Sequence, residues 1–224
     1  MKVPTDKFLL FDLDGTLVDP ARGIIGSCQS ALAALGRPVP HYEDLKWIIG
    51  PPLRRSFAKL LGDADQVETA VSLYRASYAD GGIFQAEPYD GILTALSDLK
   101  DDGYRLVVCT AKPWPFAQKV ITHFGFAKYF DGLYGPELDG RFDDKGGLIT
   151  HLCAQEGFKA TRGCMIGDRD NDTIAAGRND MASIGVLWGY GDVRELNEGG
   201  ATVLCRYPDE LRQCVSSLMQ HSTA

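Results

Sequence analysis

The sequence lacks the cysteine and histidine patterns that mark a disulfide framework or a zinc site. Its six cysteines are scattered and include no C-x-x-C pair, and its four histidines show no ligand spacing. Cys109 and Cys164 lie within apolar runs, where a thiol usually acts as a small buried hydrophobic group. We therefore predict six reduced thiols, which is typical of a cytoplasmic protein.

Long apolar runs and an excess of positive charge are also missing. The longest apolar stretches have the length of strands, far below the roughly 20 residues that cross a bilayer. Residues 1–6 contain no apolar core of a signal peptide. The formal net charge of −7 disfavours a nucleic-acid partner. We expect a cytoplasmic protein that binds neither membrane nor nucleic acid, and an anionic substrate would need local positive charge or a metal ion.

The sequence does contain an alternation of short apolar runs and helical patterns. This alternation predicts an α/β fold with a Rossmann-like parallel sheet. The predicted strands are residues 8–13, 105–110, 132–134, 164–167, 183–187 and 202–205. From about residue 20 to residue 88 there are only helical patterns. We therefore predict an inserted all-helical cap domain over residues 20–87 and an α/β core domain over residues 1–19 and 88–224.

The first predicted strand ends in two carboxylates, Asp12 and Asp14, followed by Gly15 and Thr16. A strand this apolar is buried on both faces, and unpaired charges at its mouth are costly. One interpretation is that the two acids cap the helix that follows. The other is that they serve as a metal-assisted nucleophile and a neighbouring acid/base.

Three further segments place polar side chains at strand exits or helix starts. Thr110 ends an apolar run and precedes Ala111, Lys145 opens a predicted helix, and Asp168 and Asp172 follow another apolar run. Each has an ordinary alternative: a helix-capping threonine, a solvated lysine, and a turn or weak calcium loop. Because ligands of open α/β sheets bind at the carboxyl ends of the strands, the joint arrangement favours one site.

The run D-x-D-G-T-L and these three segments, in this order, resemble the four motifs of the haloacid dehalogenase-like superfamily, and of its phosphatase branch in particular. The resemblance covers essentially the whole chain. It implies a magnesium ion held by Asp12, Asp168 and the backbone carbonyl of Asp14. It also implies that Asp172 is a direct or water-mediated ligand, or an orienting residue behind the ligands.

The chemistry of that family implies a role for each matched residue. Asp12 would attack phosphorus and form an aspartyl-phosphate, and Asp14 would act first as acid and then as base. Thr110 and nearby backbone N–H groups such as that of Ala111 would bind phosphoryl oxygens, and Lys145 would hold Asp12 and the transferring group. The dehalogenase and phosphonate-cleaving branches lack the second acid, so Asp14 favours a phosphate ester.

We expect residues of the cap to contact the substrate and to determine substrate specificity. In residues 50–57, a Gly-Pro-Pro turn precedes Arg54 and Arg55, which could reach an anionic substrate or simply be solvated. This stretch resembles phosphoglycolate-phosphatase-like and 5′-nucleotidase-like members, in which Arg54 matches the family's arginine. The pair Lys112-Pro113 is shared with that subgroup, and it either supports the phosphate site or shapes the loop.

We therefore predict a magnesium-dependent phosphatase that hydrolyses a small phosphomonoester, such as phosphoglycolate, through an aspartyl-phosphate. The alternatives are a 5′-nucleotidase acting on nucleoside monophosphates and a sugar phosphomutase, although no feature of the cap demands the latter. A receiver domain and a non-catalytic binding protein fit the insert and the intact motifs poorly. The expected partner is a small phosphorylated metabolite, and the expected state is a monomer or homodimer.

Overall fold

The structure is a computed structural model that describes residues 7–221 of the 224-residue chain. Residues 1–6 and 222–224, which the sequence analysis assigned to the core domain, lie outside the described residues. All six cysteines are free thiols. Within the described range, the helices lack the combination of length and apolar character that crossing a membrane requires.

A six-stranded parallel sheet forms the centre of the protein, in the order β5-β4-β1-β6-β7-β8. This confirms the predicted α/β fold with a Rossmann-like core. Two more strands, β2 and β3, form a separate antiparallel pair. The strands are β1 Phe8–Phe11, β2 Val18–Asp19, β3 Glu87–Pro88, β4 Arg105–Cys109, β5 Gly132–Tyr134, β6 Gly163–Gly167, β7 Ala182–Val186 and β8 Val203–Cys205.

Helices cover both faces of the sheet and build the insert. They are α1 Ala21–Ala34, α2 Leu53–Leu61, α3 Val67–Ala79, α4 Ile92–Asp101, α5 Trp114–His123, α6 Lys145–Glu156, α7 Asp170–Gly177, α8 Val193–Glu198 and α9 Leu211–His221. Alternate residues of β1 point to opposite faces, as the pleat of a strand requires. Leu9 and Phe11 pack in the core that includes α4, α5 and α9, whereas Phe8 and Leu10 pack with α6 and α7.

The inserted segment is helical, as predicted. It contains α1, α2 and α3, together with short 3-10 turns. One face of α3 is apolar and buried, and it consists of Val67, Ala70, Val71, Tyr74 and Tyr78. The insert leaves the core through β2 and returns through β3. This pairing supports the division at residues 20 and 87, which remains a prediction.

Some predicted strand ends were wrong. β1 ends at Phe11 and β4 at Cys109, so Asp12, Asp14 and Thr110 lie in the loops that follow. The pairing of β2 with β3 was not predicted. Two residues are too few to form an alternating pattern, and Pro88 argues against a strand because proline cannot donate to a ladder.

Candidate active site

The predicted site residues converge at one edge of the sheet. Asp12 follows β1, Thr110 follows β4 and Asp168 follows β6, while Lys145 begins α6 and Asp172 lies in the first turn of α7. These three strands are neighbours and parallel, so their carboxyl ends lie side by side. The loops therefore place the functional groups together although they come from distant parts of the chain.

Three of the acids form a buried cluster. Asp12, Asp168 and Asp172 each offer a carboxylate oxygen, and these oxygens lie within 4.8 Å of one another. The ammonium of Lys145 lies 3.2 Å from Asp12 Oδ1 and donates a hydrogen bond to Asp172 Oδ1. When all three acids are ionised, Lys145 supplies one positive charge against three negative charges, and burying such an imbalance is costly.

The environment shifts the pKa of Asp168, Asp172 and Lys145. Burial raises the pKa of Asp168 well above its usual value, and the nearby charges of Asp172 and Asp12 raise it further. Burial also raises the pKa of Asp172, to about 6, against the opposing effect of Lys145. Burial alone would lower the pKa of Lys145, but Asp12 and Asp172 outweigh it and the net pKa is raised. The cluster thus favours uptake of positive charge.

A hard divalent cation such as Mg²⁺ fits this cluster. Among the described residues, buried Asp12 Oδ1 has no hydrogen-bond partner. The donors are all carboxylate oxygens, the ligand type that Mg²⁺ prefers. The backbone also approaches closely, since a Cβ added at Gly15 would lie 2.2 Å from Asp168 Oδ2. A contribution from the backbone carbonyl of Asp14 remains a prediction.

Neighbouring groups fix the direction of two of these acids. Asp168 accepts hydrogen bonds from the backbone N–H of Tyr190 at 2.8 Å and from Thr16 Oγ1 at 3.4 Å. Asp172 Oδ2 accepts one from the backbone N–H of Arg169 at 3.1 Å. Such outer contacts set the orientation of metal ligands. Residues 188–191, which follow β7, were not predicted to belong to the site. The sequence feature that could have indicated them is the pair of glycines after the strand, because glycine there is typical of a close approach of the backbone.

Asp14 is paired with a lysine whose role the sequence left open. Lys112 Nζ lies 2.7 Å from Asp14 Oδ1 and 2.5 Å from Oδ2. Burial raises the pKa of Asp14 above its usual value, while the charge of Lys112 acts in the opposite direction. The same ammonium lies 5.1 Å from the ring centre of Tyr78, on α3. Lys112 therefore touches both the second acid and the insert.

A cleft lies over Asp12 and Asp14, between the core and the insert. Thr110, Ala111 and Lys112 line its core side, together with the two acids. The Oγ1 of buried Thr110 accepts a hydrogen bond from the Lys112 N–H at 3.1 Å, so Thr110 is not the cap of α5, whose N-cap is Pro113. The other lining residues are Ile24, Ile48, Gly50, Pro51, Pro52, Leu53, Arg54, Tyr74, Arg75, Tyr78, Pro113, Phe116 and Asp143.

Two arginines of the insert line this cleft. Arg54 was expected to read the substrate, a role that remains a prediction. Its Nε donates to Glu68 Oε1 at 2.7 Å, and its Nη1 lies 3.8 Å from Asp143 Oδ2. Arg75 was missed. Its Nη1 donates to the carbonyl of Leu138 at 3.1 Å, and its buried Nε has no hydrogen-bond partner within residues 7–221.

Comparisons with known proteins agree with the family resemblance of the four segments. The model of the haloacid dehalogenase-like hydrolase family matches residues 9–186. The chain belongs to this family. Its relatives include a 5′-nucleotidase and a phosphoglycolate phosphatase, and a predicted phosphatase is among the solved structures that share its fold. This confirms the predicted membership and the interpretation of the protein as a phosphatase-type enzyme.

Individual relatives align along nearly the whole chain. A 5′-nucleotidase of Pseudomonas aeruginosa is 42% identical over 210 residues, which are 93% of this chain and 95% of that protein. The tyrosine-protein kinase PtkA of Mycobacterium tuberculosis is 35% identical over 93% of this chain and 72% of its own length. The crystal structure of a predicted phosphatase from Clostridium acetobutylicum has a TM-score of 0.91 and 38% identity, covering 94% of this chain and 98% of that one.

Proposed function

We propose that this protein is a magnesium-dependent phosphomonoesterase that hydrolyses a small phosphorylated metabolite through an aspartyl-phosphate on Asp12. One observation carries the proposal. Asp12 is buried and its Oδ1 accepts no hydrogen bond within the described residues, although the Lys145 ammonium lies 3.2 Å away; Asp12 also lines the cleft and belongs to the acidic cluster. A nucleophile for phosphoryl transfer needs this double position, with substrate on one side and positive charge on the other.

In the first half-reaction, Asp12 attacks phosphorus and the bond between phosphorus and the ester oxygen breaks. Protonated Asp14 gives its proton to the leaving oxygen, which departs as an alcohol. Lys145, 3.2 Å from Asp12 Oδ1, holds the nucleophile in place. Thr110 and Ala111 line the same cleft, and in this proposal the Thr110 hydroxyl and the Ala111 backbone N–H bind the phosphoryl oxygens.

In the second half-reaction, Asp14 is the base. It takes a proton from a water molecule as the water oxygen attacks phosphorus, and the bond to Asp12 breaks. The products are inorganic phosphate and the free carboxylate, with Asp14 protonated for the next cycle. Asp14 thus serves both steps, because the loss of its proton to the leaving oxygen in the first step makes it the base that the second step needs.

The acidic cluster is proposed to hold the magnesium ion through Asp12 and Asp168, with Asp172 as a ligand or as an orienting residue. When bound, the ion supplies charge neutralisation that lets an anionic carboxylate approach an anionic phosphoryl group. The buried negative charge of the cluster supports this assignment, as do the oxygen-only donors.

The lining of the cleft bears on the substrate. Its wall beyond the phosphate end is largely apolar and aromatic. Tyr74 stacks on Tyr78 with ring centres 5.5 Å apart, and Tyr78 meets Phe116 edge-on at 5.6 Å. Phosphoglycolate offers nothing apolar to such a wall, whereas a nucleoside monophosphate offers a flat base. This wall and the 5′-nucleotidase relative favour 5′-nucleotidase activity over the phosphoglycolate activity that the sequence put first.

The test is phosphate release over a panel of nucleoside monophosphates, phosphoglycolate and sugar phosphates, with and without magnesium. We expect release that requires magnesium, is greatest for nucleoside monophosphates, and is lost in Asp12→Asn. Isomerised sugar phosphate without phosphate release would support a mutase, and label transferred to a tyrosine would support a kinase like the mycobacterial relative. Near wild-type release by Asp12→Asn would overturn the proposal.

A further inference from the structure

Lys112 is a buried cation to which the predicted motifs give no role. Its ammonium contacts both carboxylate oxygens of Asp14, and the side chains of the pair are 4% and 12% exposed. Lysine is almost never buried to this extent unless its charge is paired. The pair ties the acid that follows β1 to a loop that follows β4, two segments that are 98 residues apart in the sequence.

The backbone of Lys112 is also fixed. Its N–H donates to Thr110 Oγ1 at 3.1 Å. On its other side, a Cβ added at Gly135 would lie 2.5 Å from the carbonyl oxygen of Lys112, so the loop after β5 packs directly against it. The side chain of Lys112 therefore starts from a defined position and ends on Asp14, which suits a residue that orients another.

The insert provides a further contact. The ammonium of Lys112 lies 5.1 Å from the ring centre of Tyr78, within the range of cation–π attraction. Tyr78 is on α3 of the insert, and it packs against Phe116 of the core helix α5. Lys112 thus lies between the Asp14 carboxylate and the insert, and both neighbours hold the same charged group.

We propose that Lys112 is a positioning residue that aims the Asp14 carboxylate at the ester oxygen, and that it does so fully only while α3 of the insert lies over it. The inference rests on the proposed function, in which Asp14 moves the proton. An aspartate can rotate about two side-chain bonds, and contact of both its oxygens with one ammonium restricts this rotation. Small errors in the position of a reacting group can cost about a hundredfold in rate.

The competing role for Lys112 is direct binding of the phosphoryl oxygens, as proposed for Thr110. The two roles differ in what happens when Asp14 is absent. A residue that acts through Asp14 has nothing left to contribute without it, whereas a residue that binds phosphate contributes as before. Residues that act as one unit show such non-additive losses.

The first experiment is therefore a double-mutant cycle. It measures kcat/KM for benzyl phosphate, the phosphate ester of benzyl alcohol. The four enzymes compared are wild type, Asp14→Asn, Lys112→Met and the double variant. We expect Lys112→Met alone to lower kcat/KM by about 10- to 100-fold, a part of what general acid catalysis contributes. In the Asp14→Asn background, we expect less than about a twofold further loss. The same loss in both backgrounds would show independent phosphate binding and overturn the inference.

The second experiment compares leaving groups. 4-Nitrophenyl phosphate releases a phenolate that departs without a proton, whereas benzyl phosphate needs one. If Lys112 acts by aiming the acid, Lys112→Met should lose at least about tenfold more kcat/KM on benzyl phosphate, and Asp14→Asn should show the same selectivity. If Lys112→Met lost equal activity on the two esters while Asp14→Asn remained selective, the inference about Lys112 would be overturned and the proposed function would stand. No selectivity in Asp14→Asn would instead refute the proton transfer of the proposed function.

Matched variants separate positioning from damage to the fold. Lys112→Arg keeps the cation and should recover part of the benzyl phosphate activity, and Lys119→Met removes an exposed lysine of α5 and should stay within twofold of wild type. Tyr78→Phe keeps the ring over Lys112, so any loss of kcat/KM should be equal on benzyl phosphate and 4-nitrophenyl phosphate. Tyr78→Leu should show part of the selectivity of Lys112→Met, and its absence would refute the role of the insert. Lys112→Gln serves for both comparisons if Lys112→Met does not fold.

Discussion

Replacing Gly189 with alanine should displace Asp168, although Gly189 carries no functional group. A Cβ built on Gly189 lies 2.3 Å from the carbonyl oxygen of Gly15, 2.4 Å from Asp168 Cβ and 2.5 Å from Asp168 Oδ2. Carbon atoms in contact are normally about 3.5–4.0 Å apart. The added methyl group must therefore push two loops apart by about an ångström, and one of them carries the proposed metal ligand.

The energetic cost can be bracketed. Overpacking of this kind typically costs about 1–3 kcal/mol, and the upper end applies because one neighbour is backbone and cannot rotate away. Gly26 provides a matched control, since it lies inside α1 and a Cβ there meets, within 4 Å, no described atom other than those of its chain neighbours and its own helix backbone. Gly26→Ala should stabilise by about 0.5–1 kcal/mol, because alanine favours the helix over glycine. The two variants should therefore differ by about 3.5–4 kcal/mol in the free energy of unfolding.

The assay is urea unfolding of both variants, with a magnesium titration followed by thermal denaturation. We expect Gly189→Ala to unfold at lower urea and to need more magnesium for the same thermal shift. Gly26→Ala should unfold at slightly higher urea with unchanged magnesium dependence. Wild-type stability together with wild-type magnesium dependence in Gly189→Ala would refute the argument that backbone approach positions Asp168.

Three further outcomes are expected. Magnesium at a hundred times its dissociation constant should stabilise the protein by about 2.7 kcal/mol, and Asp168→Asn should abolish this gain in a thermal-shift assay; an unchanged gain would place the metal elsewhere. Lys145→Met should destabilise the metal-free protein by about 3 kcal/mol in urea unfolding, because it leaves buried carboxylates uncompensated; a neutral effect would refute that balance. A thiol reagent should modify the folded protein fastest at Cys214, the one cysteine that is not buried, and faster modification of Cys109 would contradict its burial.

The centre of the sheet could be predicted from the sequence because β1, β4 and β6 are short, largely apolar runs that are followed at once by a polar residue. The convergence of Asp12, Thr110 and Asp168 followed from the fold class alone, since parallel strands present their carboxyl ends at one edge. The pairing of β2 with β3 could not be predicted, because each strand has two residues and carries no periodic pattern.

The side chains that complete the site were harder to predict, because their partners are distant in the sequence. Lys112 pairs with an acid 98 residues away, and Arg75 reaches a carbonyl 63 residues away. Arg54 shows the opposite case. Its motif predicts contact with substrate, which remains a prediction, whereas its ion pair with Glu68 on another helix could not be predicted from that motif. Patterns within one segment carry no information about such pairs.

The central claim is that Asp12 becomes covalently phosphorylated during turnover. The most direct measurement is mass spectrometry of peptides from enzyme quenched in acid while it hydrolyses its best substrate. We expect one added phosphoryl group, located on Asp12 and absent from Asp12→Asn. A phosphoryl group found on another residue, or steady phosphate release by an Asp12→Asn enzyme, would contradict it.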